Sequence, residues 1–323
     1  RKHVEYTNAG ADLIKKIAPD KTVIGLGSNT PTNFHALNLG VSPQLDGVVD
    51  HPYTYSLPPE KVPFGWNLAE RDGIRVGDAE NTFAGLIGSY REQFRKTGKM
   101  RTVWITEFGF TGFWFDGKNE TGLYAGFTEE AQAVYLVRRF IEGLALPVAV
   151  SCQYDFLDDY GSGEHDAESN FGLLRADYSR KPAFYAVRRM NMLLHNAQPD
   201  PAAKVKVTAA PLHRSAQRGE LIRDWDKQSI AAENGVRAYA FSDPAAPRER
   251  MLAVWSMQPY GREFNNRAVT LEIGGWERFA GLPAAVDLIT GDSFGIPFEV
   301  KDGRLRIEDL PLKEHPLLIT FRE

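Results

Sequence analysis

The sequence lacks the features that mark several common classes of protein. It has a single cysteine, Cys152, which excludes an intrachain disulfide and a zinc site built on cysteines. No apolar run approaches the roughly 18 residues that a membrane-spanning helix needs. Lysine and arginine total 38 against 42 aspartates and glutamates, so the net charge is −4. Nucleic acid is therefore not an expected partner, because proteins that bind polyanions are usually basic.

The remaining composition is typical of a folded globular chain. Hydrophobic residues make up 43% and charged residues 25% of the 323 residues, which argues against disorder, and the length fits about two domains. The first residues, Arg1-Lys2-His3, include no initiator Met, and no apolar signal-peptide core follows them. We therefore expect further chain upstream of Arg1.

Residues 1–197 alternate between amphipathic helices and short apolar runs. Helices are predicted at residues 4–17, 79–97, 128–144 and 179–196. In the first, Leu13, Ile14 and Ile17 lie on the apolar side, and the second is expected to be capped by Asp78. Buried strands are predicted at residues 21–27, 47–55, 101–110 and 147–156. This alternation predicts an α/β fold with a parallel sheet covered by helices. Its four strands are half of those in a closed (β/α)8 barrel, which takes about 250 residues.

Residues 198–323 follow a different pattern, which begins after two prolines, Pro199 and Pro201. Short alternating runs lie at residues 204–209, 236–242, 251–257, 268–274, 284–290, 304–310 and 316–321. Turns rich in Gly, Pro and Asp separate them. Short strands with regular turn signals predict an antiparallel β-sandwich as a second domain, with the boundary between residues 197 and 198.

Candidate functional side chains follow the four strands of the first domain, at the end of a parallel sheet where sites lie. They are Asn29 after the first strand, His51, Tyr53 and Tyr55 after the second, Glu107 after the third, and Gln153, Tyr154 and Asp155 after the fourth. Glu107 is the sharpest signal, because a carboxylate that ends an apolar run needs a partner or a function. Two structural alternatives stay open: Glu107 in a salt bridge, and His51 as a hydrogen-bonded core histidine.

Three segments together resemble the retaining (β/α)8 glycoside hydrolases of clan A, and most of all family 39 with its bacterial exopolysaccharide hydrolases. They are WITEFGF at 104–110, Asp50-His51-Pro52-Tyr53, and NFGLLRADYSRKPAFYAVRRM at 170–190. In that clan the glutamate that ends strand seven is the nucleophile. The resemblance implies that residues 1–197 are strands five to eight of a TIM barrel, followed by a β-sandwich. The long aromatic loops after strands six and seven, such as HPYTYSLPPEKVPFGWN at 51–67, favour a groove for several sugars and therefore a polysaccharide substrate.

The resemblance also implies roles for single residues. Glu107 is the expected nucleophile, and His51 and Tyr53 are expected to bond to it or to the sugar. Asn29, Gln153 and Asp155 are expected to contact sugar hydroxyls. The tryptophan that many relatives place after strand eight is absent here, so Tyr154 or Phe156 is expected to substitute, with Trp114 and Phe115 as alternative stacking residues.

One required group is missing from the sequence. Retaining hydrolysis needs two carboxyl groups about 5–5.5 Å apart, and in this clan the acid/base glutamate lies in an Asn-Glu pair after strand four. No such pair precedes Lys21, and Asn119-Glu120 lies in the loop after strand seven. We therefore expect the acid/base residue and the N-terminal half of the barrel upstream of Arg1.

The sequence also leaves two other hypotheses open. The first is a non-catalytic carbohydrate-binding or scaffold protein with an incomplete site. The second is an inverting hydrolase that uses Glu107 with Asp155 or Glu164, which requires a separation of about 6.5–9.5 Å. For the retaining hydrolase no cofactor or metal is implied, and a periplasmic or extracellular location is expected because polysaccharides occur there.

Overall fold

The computed structural model describes residues 1–55, 57–62, 76–112, 127–163, 166–209, 235–260, 267–276, 278–279 and 281–322. They form two compact units. The first comprises Arg1–Phe110 with Leu146–Asp155, and the second comprises Thr111–Ala145 with Phe156–Glu323.

The first unit is a parallel sheet with helices between its strands. In chain order it contains α1 (Lys2–Ile17), β1 (Ile24–Gly25), α2 (Thr30–Leu39), β2 (Gly47–Asp50), α3 (Phe83–Lys96), β3 (Thr102–Phe108) and β4 (Val148–Gln153). All neighbouring strands pair in parallel, in the order β1-β2-β3-β4. The predicted α/β class and the parallel sheet in chain order are thus confirmed.

The start of α3 differs from the prediction. The helix was expected to be capped by Asp78, but the cap is Thr82, whose hydroxyl accepts a hydrogen bond from the Gly85 N–H at 2.9 Å. Asp78 instead accepts the Thr82 N–H at 2.8 Å and the Thr82 hydroxyl at 2.5 Å. The carboxylate therefore holds the capping residue, and the helix begins four residues later than expected.

The predicted apolar face of α1 is wrong. It was expected to be buried, yet its three apolar residues are exposed: Leu13, Ile14 and Ile17. Another face of α1 contacts the rest of the first unit, through residues at helical spacing: Val4, Asn8, Ala11 and Lys15. Two of them make polar anchors, Asn8 to the backbone of Gly40 and Ser42, and Lys15 to Asp46 at 2.7 Å. These bonds set the orientation of the helix.

In its described residues, the second unit combines two α-helices with two antiparallel sheets. The helices are α4 (Glu129–Ala145) and α5 (Pro182–Leu194). The strands are β5 (Gln198–Pro199), β6 (Lys204–Ala209), β7 (Val236–Asp243), β8 (Ala246–Ser256), β9 (Arg267–Gly274), β10 (Ala284–Asp287), β11 (Ser293–Gly295), β12 (Glu299–Lys301), β13 (Arg304–Leu312) and β14 (Leu317–Arg322). Each of the seven predicted runs forms a strand. The sheet orders are β11-β10-β14-β8-β7-β5 and β12-β13-β9-β6, and one hydrophobic cluster takes side chains from both sheets.

Helix α4 contacts the first of these sheets through buried charged residues. The Arg138 guanidinium donates to the carbonyls of Met257 and Gln258, both at 3.0 Å. Glu142 accepts from Arg237 at 3.1 Å and from the Tyr239 hydroxyl at 3.0 Å. Residues on both sides of the predicted boundary at 197/198 therefore belong to one compact unit.

Substitution of Gly172 is expected to destabilise the second unit. A Cβ at this position would lie 2.4 Å from the Asp158 nitrogen, 2.5 Å from the Leu174 oxygen and 2.6 Å from the Leu157 carbonyl carbon. All three are backbone atoms, so the strain cannot be relieved by a rotamer change. Gly172→Ala should lower the free energy of unfolding by about 1–3 kcal/mol in urea titrations.

Gly88 provides the matched control for this prediction. It is exposed within α3, and a Cβ there would meet no atom within 4 Å. Gly88→Ala should raise stability by up to about 1 kcal/mol, because alanine favours helix. A Gly172→Ala protein as stable as the wild type would contradict the packing described.

Candidate active site

A histidine and a glutamate meet at the carboxyl ends of two neighbouring strands. His51 follows β2 directly, and Glu107 is the penultimate residue of β3. The His51 Nδ1 lies 2.6 Å from Glu107 Oε2, and the His51 Nε2 lies 2.8 Å from Thr106 Oγ1. The carboxylate can only accept, so we assign a proton to Nδ1, which donates it to Glu107.

An irregularity in β3 explains how two consecutive residues contact one imidazole ring. In a regular strand, neighbouring side chains point to opposite faces. Here Ile105 pairs with Ser151 and Phe108 pairs with Gln153. Two residues of β3 therefore lie between these pairs, where β4 has only one. The extra residue is a β-bulge that spans Thr106 and Glu107, and a bulge re-aims side chains at such a point.

Both members of the pair are partly accessible. The exposed fractions of the side chains are 24% for His51 and 29% for Glu107. A carboxylate that is oriented by an imidazole and still accessible can act on a bound molecule. The sequence left two structural alternatives open: a hydrogen-bonded His51 and a Glu107 in an ion pair. The contact between these two residues agrees with part of each.

A second carboxylate, that of Asp50, belongs to the residue before His51 and is fully buried. Asp50, the last residue of β2, accepts hydrogen bonds from the Tyr90 hydroxyl at 2.6 Å, from the Thr30 hydroxyl at 2.9 Å and from the His51 N–H at 2.8 Å. Burial raises the pKa of Asp50 to about 7, although the three hydrogen bonds oppose the shift. Burial and the nearby Asp50 raise the pKa of Tyr90 well above its ordinary value, so Tyr90 keeps its proton.

Asn33 connects this buried group to the end of β1. Its side-chain nitrogen donates to the Val49 carbonyl at 2.7 Å, to the Gly27 carbonyl at 3.0 Å and to the Tyr90 hydroxyl at 3.1 Å. Its side-chain oxygen accepts the Gly27 N–H at 2.9 Å. One amide thus links the ends of β1 and β2 to α3.

The two tyrosines predicted for the site follow His51. Both are half-buried, and the Tyr53 N–H donates to the His51 carbonyl at 2.9 Å. Tyr55 has a φ of 56°, in the left-handed region that non-glycine residues seldom occupy. Burial raises the pKa of Tyr55. Such outliers cluster at functional sites, so Tyr55 stays a candidate.

The remaining predicted residues of the first unit occupy varied settings. Asn29 is exposed and caps α2, its side-chain oxygen accepting the Thr32 N–H at 3.1 Å. The Gln153 side-chain amide donates to the Asp155 carbonyl at 2.6 Å. The Tyr154 N–H donates to the Phe108 carbonyl at 2.7 Å, and the Tyr154-Asp155 peptide is cis. The roles of these residues in sugar binding stay predictions.

Some predicted residues lie outside the described part of the chain: Trp114, Phe115, Asn119, Glu120 and Glu164. Within the described ranges, no group of three His, Cys, Asp or Glu side chains is placed to hold a metal ion. In the same ranges, every helix falls short of the length and apolar character that a transmembrane helix requires.

Neither Asp50 nor Thr106 was expected in the site from the sequence. Asp50 ends the apolar run Gly47–Asp50, which is the same signal that singled out Glu107. Thr106 carried no such signal, because strict alternation along β3 would put it on the face opposite to Glu107.

Comparison of the sequence with protein-family models and with curated proteins gave no match. Solved structures do match. A family 39 glycoside hydrolase from the gut symbiont Bacteroides cellulosilyticus WH2 superposes with a TM-score of 0.58 at 20% identity, over 99% of this chain and 55% of that one. The fold therefore resembles that of a family 39 glycoside hydrolase. The resemblance read from the sequence is confirmed at this level.

A second similar structure belongs to another glycoside hydrolase family. AbfB, a family 51 α-L-arabinofuranosidase from Bifidobacterium longum, superposes with a TM-score of 0.53 at 12% identity, over 99% of this chain and 63% of that one. The chain thus spans less than two thirds of the length of either structure, and similarity at these identities concerns the fold alone.

Proposed function

We propose that this chain is the C-terminal portion of a retaining glycoside hydrolase with Glu107 as its nucleophile. The observation that carries the proposal is the contact of Glu107 with His51 at the carboxyl end of the parallel sheet, 2.6 Å between Oε2 and Nδ1. Sites of parallel α/β folds lie at this end. The glycoside hydrolase neighbours support the same reaction class.

The contact defines the role of each oxygen of Glu107. His51 Nδ1–H holds Oε2, and we assign Oε1 to the attack on the anomeric carbon. As the C1–Oε1 bond forms, the bond from C1 to the leaving oxygen breaks, and that oxygen takes a proton from an acid/base carboxyl. Water then adds to C1 while the same carboxyl, now the base, accepts its proton, and the glycosyl ester breaks to restore Glu107.

The acid/base carboxyl belongs, in this proposal, to the N-terminal half of a (β/α)8 barrel outside residues 1–323. The parallel sheet has four strands in the described residues, half the number in a closed barrel. Side chains of its last strand, Val148–Gln153, are half-buried or exposed, which fits a strand that a further part of the barrel covers. Residues 1–197 are then barrel strands five to eight, and 198–323 a β-sandwich.

The substrate we propose is a β-linked polysaccharide. Tyr53 and Tyr55 follow β2, and Gln153, Tyr154 and Asp155 lie at the end of β4, so both groups flank the strand that carries Glu107. Asn29 follows β1, and Trp114 comes after β3 in the sequence. Hydroxyl, amide and carboxylate groups bind sugar hydroxyls, and aromatic rings stack on sugar faces. The proposed location is periplasmic or extracellular, where such polymers occur.

Covalent trapping tests the proposal. The complete protein, including the proposed N-terminal half of the barrel, is incubated with 2,4-dinitrophenyl 2-deoxy-2-fluoro-β-glycosides of glucose, galactose and xylose. Their leaving group needs no acid catalyst, and the fluorine slows hydrolysis of the intermediate, so the glycosyl ester should accumulate. One equivalent of dinitrophenolate should be released, and peptide mass mapping should place one glycosyl group on Glu107.

Two results would contradict this assignment. A glycosyl group on another carboxylate would show that Glu107 is not the nucleophile. Binding of the sugars without any release of dinitrophenolate would favour a non-catalytic carbohydrate-binding protein. Glu107→Gln, which keeps the shape of the side chain, is the control and should give no labelled peptide.

A further inference from the structure

The buried carboxylate Asp50 has no part in the proposed reaction, yet it lies next to the residues that do. It is fully buried, and the groups that donate to it within the described part of the chain are neutral: the Tyr90 hydroxyl, the Thr30 hydroxyl and the His51 N–H. Burial of a carboxylate without a cationic partner is costly. A neutral side chain of similar shape would fill the same space at lower cost, so the carboxylate calls for a specific reason.

The contact with His51 supplies that reason. The backbone nitrogen of His51 lies 2.8 Å from Asp50 Oδ1. Its second acceptor, the Ser28 carbonyl oxygen, is more distant, at 3.3 Å. The imidazole of the same residue spans Glu107 and Thr106 at 2.6 and 2.8 Å. A displacement of the His51 backbone would therefore move both ring contacts and change the orientation of Glu107.

We propose that Asp50 is a positioning residue, which fixes the backbone of His51 by accepting its N–H and so holds the imidazole against Glu107. This inference rests on the proposed function of Glu107. Asp50 itself touches neither the attacking oxygen nor the sugar, and acts only through His51.

The surroundings of Asp50 make its effect on His51 depend on pH. Helix α2 presents Thr30 and Asn33 to this region, α3 presents Tyr90, and the end of β1 presents Gly27. Among the described groups bonded to Asp50 from other elements, only Tyr90 titrates, and it stays protonated. Because the pKa of Asp50 is raised to about 7, the carboxyl is neutral below this pH and ionised above it. The ionised form is the stronger acceptor for the His51 N–H.

The test measures the rate constant for labelling of Glu107 by the dinitrophenyl fluoroglycoside that traps the complete wild-type protein, at several pH values. Asp50→Ala removes the acceptor, and labelling should slow about 10- to 100-fold. Asp50→Asn keeps a weaker, neutral acceptor and should slow it about 3- to 10-fold above pH 8. Below pH 6 the wild type should fall to the rate of Asp50→Asn, because its own carboxyl is then neutral.

Asp158 provides the matched control, since it is a buried carboxylate in the second unit that bonds to Lys181. Asp158→Asn and Asp158→Ala should lower stability and leave the labelling rate within about twofold of the wild type. Equal slowing by the substitutions at the two aspartates would mean that Asp50 is merely structural, and would overturn the proposal.

The remaining outcomes separate this proposal from the proposed function. If the wild type is labelled and Asp50→Ala reacts at the same rate, Asp50 does not position the pair. If Asp50→Ala does not fold, Asp50→Asn decides, and a rate equal to the wild type at every pH overturns the proposal. If no protein is labelled, the function of Glu107 fails, and the ¹⁵N shifts of the His51 ring decide: a difference between wild type and Asp50→Asn supports positioning, and identical shifts overturn it.

Discussion

Replacement of Glu107 by glycine should lower kcat by on the order of 10⁵-fold, as removal of a covalent nucleophile does in other enzymes. The reason is the loss of the only group that we assign to attack the anomeric carbon. His51 would keep its contact with Thr106, 2.8 Å away, so the rest of the site should remain in place. The measurement is steady-state hydrolysis of a dinitrophenyl β-glycoside by the complete protein.

Azide distinguishes the loss of a nucleophile from a loss of folding. A small anion fits the space left by the missing carboxylate and attacks C1 from the same side, so Glu107→Gly should regain activity and form an α-glycosyl azide. Glu107→Gln fills that space and should not be rescued. Glu92→Gln, at an exposed glutamate of α3 that pairs with Lys96, should keep wild-type activity. A β-configured azide product, or more than about 1% residual activity in Glu107→Gly, would exclude Glu107 as the nucleophile.

The arrangement of the sheet was predictable because its strands carry a strong sequence signal. A parallel strand is covered on both faces, so it reads as an unbroken apolar run, and the helices between such strands fix their direction and order. The positions of the strand ends then follow directly, which is why the sequence predicts His51 and Glu107 as site residues. The end of β2 was predicted five residues too late, at Tyr55 instead of Asp50.

Other features depend on particular polar contacts that no periodicity reveals. The face that α1 buries is set by Asn8 and Lys15, so counting apolar residues selected the wrong side. The contact of Thr106 with His51 exists because the bulge in β3 interrupts the alternation. The positioning of His51 by Asp50 depends on the local backbone at the end of β2, although the carboxylate itself carried the same signal as Glu107.

Lys181 and Asp158 form a deeply buried ion pair, and its disruption should cost much stability. Both side chains are 1% exposed, and Lys181 Nζ donates to Asp158 Oδ1 at 2.8 Å and to the Asn170 carbonyl at 3.1 Å. Asp158 Oδ1 also accepts the Gly172 N–H at 2.8 Å. Burial raises the pKa of Asp158 and lowers the pKa of Lys181, so each charge depends on the other to remain in this environment.

Lys181→Met should therefore lower the free energy of unfolding by about 3–5 kcal/mol, because it leaves Asp158 as an uncompensated buried charge. Urea unfolding at pH 7 measures the loss. The double variant Lys181→Met with Asp158→Asn removes both charges and should recover most of it, since the pair contributes little net stability beyond its mutual compensation. Lys206→Met, at an exposed partner of Glu272, is the matched control and should cost less than about 1 kcal/mol. A single variant as stable as this control, or a double variant no better than the single one, would show that the two charges do not depend on each other.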